Sequence, residues 1–325
     1  MIRRFTHTSV AVADTDTMLG FYRDLLGLEV ITDHDTSQWD PQRQQFYKNI
    51  HAMPETHFRM TRLKGPQKPH EVFALELKKW YSPPPNPFPD WQRQCDLGLH
   101  IIAFFVDDLE ATYNKLKEAG VSLISTPQWT TITGCFKCYD PEGNVCEFIA
   151  RPSGPPPPPP PLPPQPARTE PPMVDFIKHT SIAVQDTYRM LDFYQGLLGL
   201  EVMTDTDTEM RGREGRQYYK AIHGIPETHF RMTRLRAPEG PQADFAIELK
   251  KWYSPRPRPL PNWQRQNDIG CHIIAFNVQN LEVTYEKLCQ AGVKTVNVPQ
   301  HRPGGGCVKC YDPEGNVVEF TLPPQ

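Results

Sequence analysis

From His7 the chain reads HTSVAVADTDTMLGFYRDLLGLEVITD, and from His179 it reads HTSIAVQDTYRMLDFYQGLLGLEVMTD, 172 positions later (179 − 7). PETHFRMTRL recurs from Pro54 to Pro226 and CYDPEGNV from Cys138 to Cys310, at the same offset (226 − 54 and 310 − 138). A constant offset means that no net insertion separates the copies. Such self-similarity fixes the architecture before any local reading does, because each copy must satisfy the same folding constraints. Between the copies lies PSGPPPPPPPLPPQPARTEPP, Pro152 to Pro172. Proline fixes φ and removes the backbone donor, so this segment is expected as extended polyproline II, spanning on the order of 60 Å. The expected organisation is a domain at 1–151, a Pro-rich linker at 152–174 and a second domain at 175–325.

Inside each copy one grammar appears twice. HTSVAVAD reads as a strand and TDTMLGFYRDLLG as an amphipathic helix closed by Gly27; LEVITD, HFRMTRL and VFALELKKW read as three further strands. The pattern restarts at Gly98. GLHIIAFFVDD is a strand, LEATYNKLKEAG a helix closed by Gly120, and VSLIST, CFKCYD and NVCEFIA are strands. DPEGN between the last two is hairpin chemistry. Each half is therefore βαβββ–βαβββ, an α+β arrangement in which curled units pair around a cleft.

VFALELKKWYSP, Val72 to Pro83, places Glu76 inside an apolar run, and DFAIELKKWYSP repeats the arrangement with Glu248. A lone buried carboxylate is costly unless it is paired, protonated or bound to a metal. His7, His100 and Glu147 are likewise lodged in apolar strands, as are His179, His272 and Glu319 at the repeat offset. Each unit thus offers one ionisable residue on its first strand and one on its last. Two imidazoles and two carboxylates per site suit a divalent ion such as Ni, Co, Zn, Mn or Fe. The plain alternative for any single strand histidine is a hydrogen-bonded core residue. Pairing remains open at this stage. Units within one half would join His7, Glu76, His100 and Glu147, whereas units crossing halves would join His7 and Glu76 to His272 and Glu319.

The βαβββ repeat, FYRDLLGLEV, HIIAFFVDDLEATYNKLKEAGV and YDPEGNVCEF together resemble the vicinal oxygen chelate superfamily. It includes glyoxalase I, methylmalonyl-CoA epimerase, extradiol dioxygenases and bleomycin-resistance proteins. The resemblance covers nearly the whole chain apart from the linker and Ser37 to Ala52 with its copy. It implies tandem domains of that fold, with metal ligands on the first and last strands of each unit. The ligand set and FALELKKWYS are similar to those of glyoxalase I. That likeness implies a lyase or isomerase in which the metal holds two vicinal substrate oxygens and stabilises an enediolate. A ligand glutamate, Glu147 or Glu76 (Glu319 or Glu248 in the copy), would then shuttle the proton. Glyoxalase I carries arginine four residues after the first-strand ligand and asparagine four after the fourth-strand glutamate. Here those positions are Ala11 and Ala183, and Trp80 and Trp252. The departures argue against a glutathione-linked substrate. Trp80, Tyr81 and Trp91 with Arg59 and Arg62 suggest an aromatic or acidic organic substrate, against core packing as the plain alternative. One competing reading is an Fe(II) extradiol-type dioxygenase using His7, His100 and Glu147. Another is a drug-sequestering binding protein.

Composition excludes other classes. A formal net charge of −3 argues against nucleic-acid or anionic-membrane partners, and no apolar stretch approaches a bilayer span. MIRRFTHTSVAV runs straight into a strand pattern without a cleavage site, and eight scattered cysteines do not form a secreted framework. A cytoplasmic protein with reduced thiols is expected. Cys135/Cys138 and Cys307/Cys310 are C-x-x-C pairs, but residues three apart on a strand point to opposite faces. The proline run resembles ligands of SH3 or WW domains, although a spacer needs only stiffness.

Overall fold

In the computed structural model the described residues are 2–66, 73–87, 93–152, 176–237, 245–260 and 265–322. Trp91 and the proline run lie outside them. The first half contains β1 (Ile2–Ala11), α1 (Thr15–Leu19), β2 (Glu29–Asp35), α2 (Pro41–His51), β3 (His57–Lys64), β4 (Ala74–Ser82), β5 (Gly98–Phe105), α3 (Leu109–Glu118), β6 (Gln128–Trp129), β7 (Gly134–Tyr139) and β8 (Val145–Ala150). The second repeats it as β9 (Phe176–Ala183), α4 (Thr187–Leu191), β10 (Glu201–Asp207), α5 (Arg213–His223), β11 (His229–Arg236), β12 (Ala246–Ser254), β13 (Gly270–Val278), α6 (Leu281–Gln290), β14 (Gln300–Arg302), β15 (Gly305–Tyr311) and β16 (Val317–Leu322). Asp14, Asp108, Asp186 and Asn280 cap α1, α3, α4 and α6, each accepting from a backbone N–H in the first turn. The α1 helix and its copy continue as a wider π turn, over Gly20–Leu25 and Asp192–Leu197.

The strands form two mixed eight-stranded sheets, and each sheet crosses the halves. One runs β14-β15-β16-β13-β1-β4-β3-β2 and the other β10-β11-β12-β9-β5-β8-β7-β6. The junctions are antiparallel, β1 on β13 and β5 on β9, with His7 opposite Ala275 and Ala103 opposite His179. Thus the first unit pairs with the fourth and the third with the second. Period-2 alternation then sorts side chains. On β1, Val10 joins the large apolar core while His7, Ser9 and Ala11 alternate with it. On β4, Leu75 and Leu77 join that core; Glu76, Lys78 and Trp80 face the concave side.

Two local expectations change. VSLIST is not a regular strand: Leu123 makes an isolated bridge to Cys138, and the short β6 follows it. The stretch Ser37 to Ala52, outside the family resemblance, forms α2. Asp40 Oδ1 accepts from Arg43 N at 2.9 Å, Pro41 sits in the first turn, and Ala52 ends the helix at φ 51°. Its Phe46, Tyr47 and Ile50 pack with Trp39, Phe58, Met60 and Trp80. Burying each such side chain is worth about 1.5–3 kcal/mol. The helix therefore fills much of the concave face that the sheet would otherwise leave open. Its copy, α5, ends at Gly224 with φ 62°, a conformation glycine adopts without the Cβ strain that Ala52 carries.

Candidate functional site

Ser9 pairs with Glu76 across the parallel β1–β4 ladder, and Ala275 with Glu319 across β13–β16. These ladders bring Glu76 and Glu319 to either side of His7. His7 Nε2 lies 3.7 Å from Glu76 Oε1 and 3.5 Å from Glu319 Oε1. In the other sheet, Ser181 pairs with Glu248 and Ala103 with Glu147. There His179 Nε2 lies 3.1 Å from Glu248 Oε2 and 3.2 Å from Glu147 Oε1. All six side chains are at least nine-tenths buried. The first cluster therefore joins His7 and Glu76 to Glu319, and the second joins His179 and Glu248 to Glu147.

His100 and His272 belong to neither cluster, which corrects the expectation that they sit beside the glutamates. His100 Nε2 meets the carbonyls of Asp96 and Leu97 at 2.6 and 3.0 Å, and His272 Nε2 meets the Asp268 carbonyl at 2.6 Å. A break in the ladder is the reason. Ile273 and Ala275 keep the cleft face, Ala275 pairing with Glu319, whereas His272 is the extra residue at a register shift between Ile273 and Cys271, as His100 is between Ile101 and Leu99. A one-residue slip sends a side chain to the opposite face. The signal was in the spacing: Val12 follows His7 by five residues (12 − 7), but Val106 follows His100 by six (106 − 100). Ile101 and Ile273 hold the position that corresponds to His7. The triad His7, His100 and Glu147 is likewise not assembled, since His7 lies in one sheet and the other two in the second.

Lysines complete both clusters, and sequence reasoning missed them. Lys78 Nζ is 2.7 Å from Glu76 Oε1, and Lys309 Nζ is 3.1 Å from Glu319 Oε2. Lys250 Nζ is 3.0 Å from Glu248 Oε2 and 4.0 Å from Glu147 Oε2; Lys137 Nζ is 3.2 Å from Glu147 Oε2. Arg62 Nε meets Glu76 Oε2 at 2.6 Å, and Arg234 Nε meets Glu248 Oε1 at 2.9 Å. Ser9 and Ser181 hydroxyls donate to Glu76 and Glu248 at 2.8 and 2.9 Å. Behind them, His51 Nδ1 of α2 lies 3.0 Å from Gln266 Oε1, an acceptor, beside Lys309, and His223 Nδ1 of α5 lies 2.8 Å from Gln94 Oε1 beside Lys137. The available signal was parity in LELKKW and CFKCYD, which puts every second residue on the glutamate face.

Burial and charge set the protonation states. Burial pushes Glu76, Glu147 and Glu248 up, but the adjacent cations and histidines outweigh it and hold all three well below the usual carboxylate range. Burial lowers His7 to about 4, against the pull of Glu76 and Glu319, so its imidazole is neutral at pH 7. Burial lowers Lys137 to about 8 despite Glu147. Lys309 is lowered for the same reason.

The donor set fits a divalent ion. His179 Nε2 is buried and makes no hydrogen bond of acceptable geometry, although it faces two carboxylate oxygens. One donor atom each from Glu147, His179 and Glu248 lies within 4.8 Å of the other two. Three protein ligands with the remaining positions open is the usual plan of a catalytic divalent-metal site. His7 Nε2 is orphaned in the same way in the looser first cluster.

The other sequence candidates settle into packing. Trp80 packs on Phe58 and His51 at ring separations of 4.8 and 4.9 Å, Tyr81 faces outward, and Arg59 pairs with Asp33 and Asp16 on the surface. Cys138 and Cys310 join the apolar core while Cys135 and Cys307 lie on the other face, and all eight cysteines are free thiols. No helix among the described residues is long and apolar enough to cross a membrane.

Comparison with known proteins agrees with this construction. The sequence profile of the Glyoxalase/Bleomycin resistance protein/Dioxygenase superfamily matches residues 4–148 and again 176–320. Glyoxalase I from Zea mays is similar in structure, with a TM-score of 0.64 at 17% identity over 98% of this chain and 92% of that one. A candidate dioxygenase from Bacillus subtilis aligns with a TM-score of 0.63 at 12% identity over 100% of this chain and 86% of that one. At such identities the likeness concerns the fold. No curated protein matches the sequence. With both halves matched in full register and four βαβββ units closing two clefts, the chain belongs to the Glyoxalase/Bleomycin resistance protein/Dioxygenase superfamily.

Proposed function

We propose that the chain is a divalent-metal-dependent enzyme of the glyoxalase type, a lyase or isomerase that moves a proton beside a carbonyl in a small oxygenated substrate. The observation that carries the reading is the convergence of the orphaned His179 Nε2 on Glu147 and Glu248, repeated by His7 with Glu76 and Glu319. A bound divalent ion (Ni, Zn, Co, Mn or Fe) would supply Lewis-acid polarisation of the substrate oxygens. The chain's own residues do the rest. Glu147 and Glu248 are kept ionised by Lys137, Lys250 and Arg234, so either can accept a proton from a carbon beside a carbonyl. Lys137, lowered to about 8, stands 3.2 Å from Glu147 Oε2 and can stabilise that carboxylate while the proton is returned to the neighbouring carbon. Phe46, Tyr47 and Ile50 of α2, and Ile222 and His223 of α5, would limit the access of bulk water.

One observation favours a second reading, a small-molecule-binding protein without chemistry. The lysines already offset both carboxylates of each cluster and would compete with a metal for them. Proton exchange separates the two. Metal-loaded protein incubated in heavy water with small 2-hydroxy carbonyl compounds should exchange the carbon-bound proton, followed by NMR. The Glu147→Gln/Glu319→Gln double variant should not. Absence of exchange from the whole panel, with compounds still bound, supports the binding protein instead.

A further inference from the structure

The two clefts carry equivalent glutamates but differ at their mouths. The His7 cleft opens into a cavity of about 260 Å³ lined by Glu76, Glu319, Arg62, Lys78, Asn277 and Arg302, with Gly304–Gly306 forming one rim. Glu76 and Glu319 contribute two negative charges; Arg62, Lys78, Lys309 and Arg302 contribute four positive ones, a surplus of two (4 − 2). Even with Lys309 neutral a positive surplus remains. The first three cations are spent on Glu76 and Glu319. Arg302 is not: its guanidinium lies 5.3 Å from the Phe46 ring centroid, and no carboxylate pairs with it among the described residues. An unmatched charge in a half-buried cleft is costly until a counter-charge arrives. A guanidinium presents a planar fork of N–H donors that matches a carboxylate in two bonds. The cavity lies below the roughly 300–1,000 Å³ typical of drug-sized ligands, so the counter-charge must be small.

The repeat supplies an internal comparison. At the 172-residue offset Arg302 corresponds to Thr130 (302 − 172) and Asn277 to Phe105 (277 − 172). The His179 cleft therefore has a hydroxyl at the position of this guanidinium and an aromatic residue in place of the amide. We propose that the His7 cleft takes a small dicarboxylate, with Arg302 as the specificity-determining residue, and that the His179 cleft does not share this preference. The inference rests on reading the cleft as the substrate site and not on the presence of a metal.

The test is calorimetric titration of the full chain with malonate, and with the uncharged malonamide, in both chelator-treated and metal-loaded protein. Malonate should bind at about one site per chain in both states, malonamide should not, and Arg302→Thr should weaken malonate at least tenfold, about 1.4 kcal/mol. Arg302→Lys should keep part of the affinity, and Thr130→Arg should move the stoichiometry toward two. Equal binding of malonamide, malonate binding untouched by Arg302→Thr, or no malonate binding at about 10 mM overturns the proposal. Binding that vanishes only when metal is stripped overturns the Arg302 assignment, whereas malonate binding in protein that takes up no metal leaves it standing and removes the metal reading alone.

Discussion

Replacing Lys250 with methionine isolates what the buried ammonium groups contribute. Lys250 is 4% exposed in its side chain, 3.0 Å from Glu248 and 4.0 Å from Glu147, with its ammonium 5.9 Å from the Phe230 ring centroid. Methionine keeps most of the length and removes the charge. Breaking a buried ion pair by deleting one partner typically costs about 3–5 kcal/mol, because a charge is left without compensation. Here the stranded carboxylates keep other partners: Glu248 retains Arg234 and Ser181, both at 2.9 Å, and Glu147 retains Lys137 at 3.2 Å. The loss should therefore fall at the lower end, about 3 kcal/mol. Urea denaturation of chelator-treated protein at pH 7 measures it. Glu248→Gln alone should cost a similar amount, and the double variant should cost less than the two together by about 1–3 kcal/mol, since the second change removes a charge the first has already orphaned. A Lys250→Met protein within about 0.5 kcal/mol of the parent, or strict additivity in the double variant, would refute the claim that the lysine is coupled to the glutamate pair.

Other expectations follow from placement. His100→Gln and His272→Gln should leave metal content unchanged, because those rings bond backbone carbonyls, whereas His179→Gln should remove one site; metal analysis of the variants decides. Glutathione-linked methylglyoxal should be a poor substrate, since Ala11 and Trp80 stand where polar contacts are expected and both are packed under α2; an ordinary glyoxalase rate would contradict this. Glu147→Gln and Glu319→Gln, made singly, should leave unequal residual activities with different Michaelis constants, because the loop with Gly304, Gly305 and Gly306 at the His7 cleft has Ile132, Thr133 and Gly134 at the same positions in the copy. Equal halves with one constant would show that the loops do not matter.

Much of this was legible in the residues, and the gaps have physical causes. The duplication, the turn chemistry and the alternation fixed four βαβββ units and put Glu76, Glu147, Glu248 and Glu319 on one face. The choice of partner unit was not legible. The same offset satisfies pairing within or across halves, and only the β1–β13 and β5–β9 ladders decide it. His100 and His272 misled because a histidine in an apolar strand was weighed by type without counting its distance to the strand's end. The lysines were overlooked because lysine is read as surface, although Lys137 and Lys309 are fully buried. The α2 helix carried its own signals, Asp40 before Pro41, inside a stretch that none of the motifs carrying the resemblance covers.

Metal counting in paired variants tests the account most directly, because it probes both the ligands and the crossing of halves. Protein purified without added metal should hold about two divalent ions per chain, measured by elemental analysis alongside native mass spectrometry. Glu147→Gln/Glu248→Gln should keep about one, since both residues serve the His179 cluster, and Glu147→Gln/Glu76→Gln should keep none. The opposite pattern would place the units within halves, and a chain that holds no divalent ion under any of these conditions would contradict the metal-dependent function.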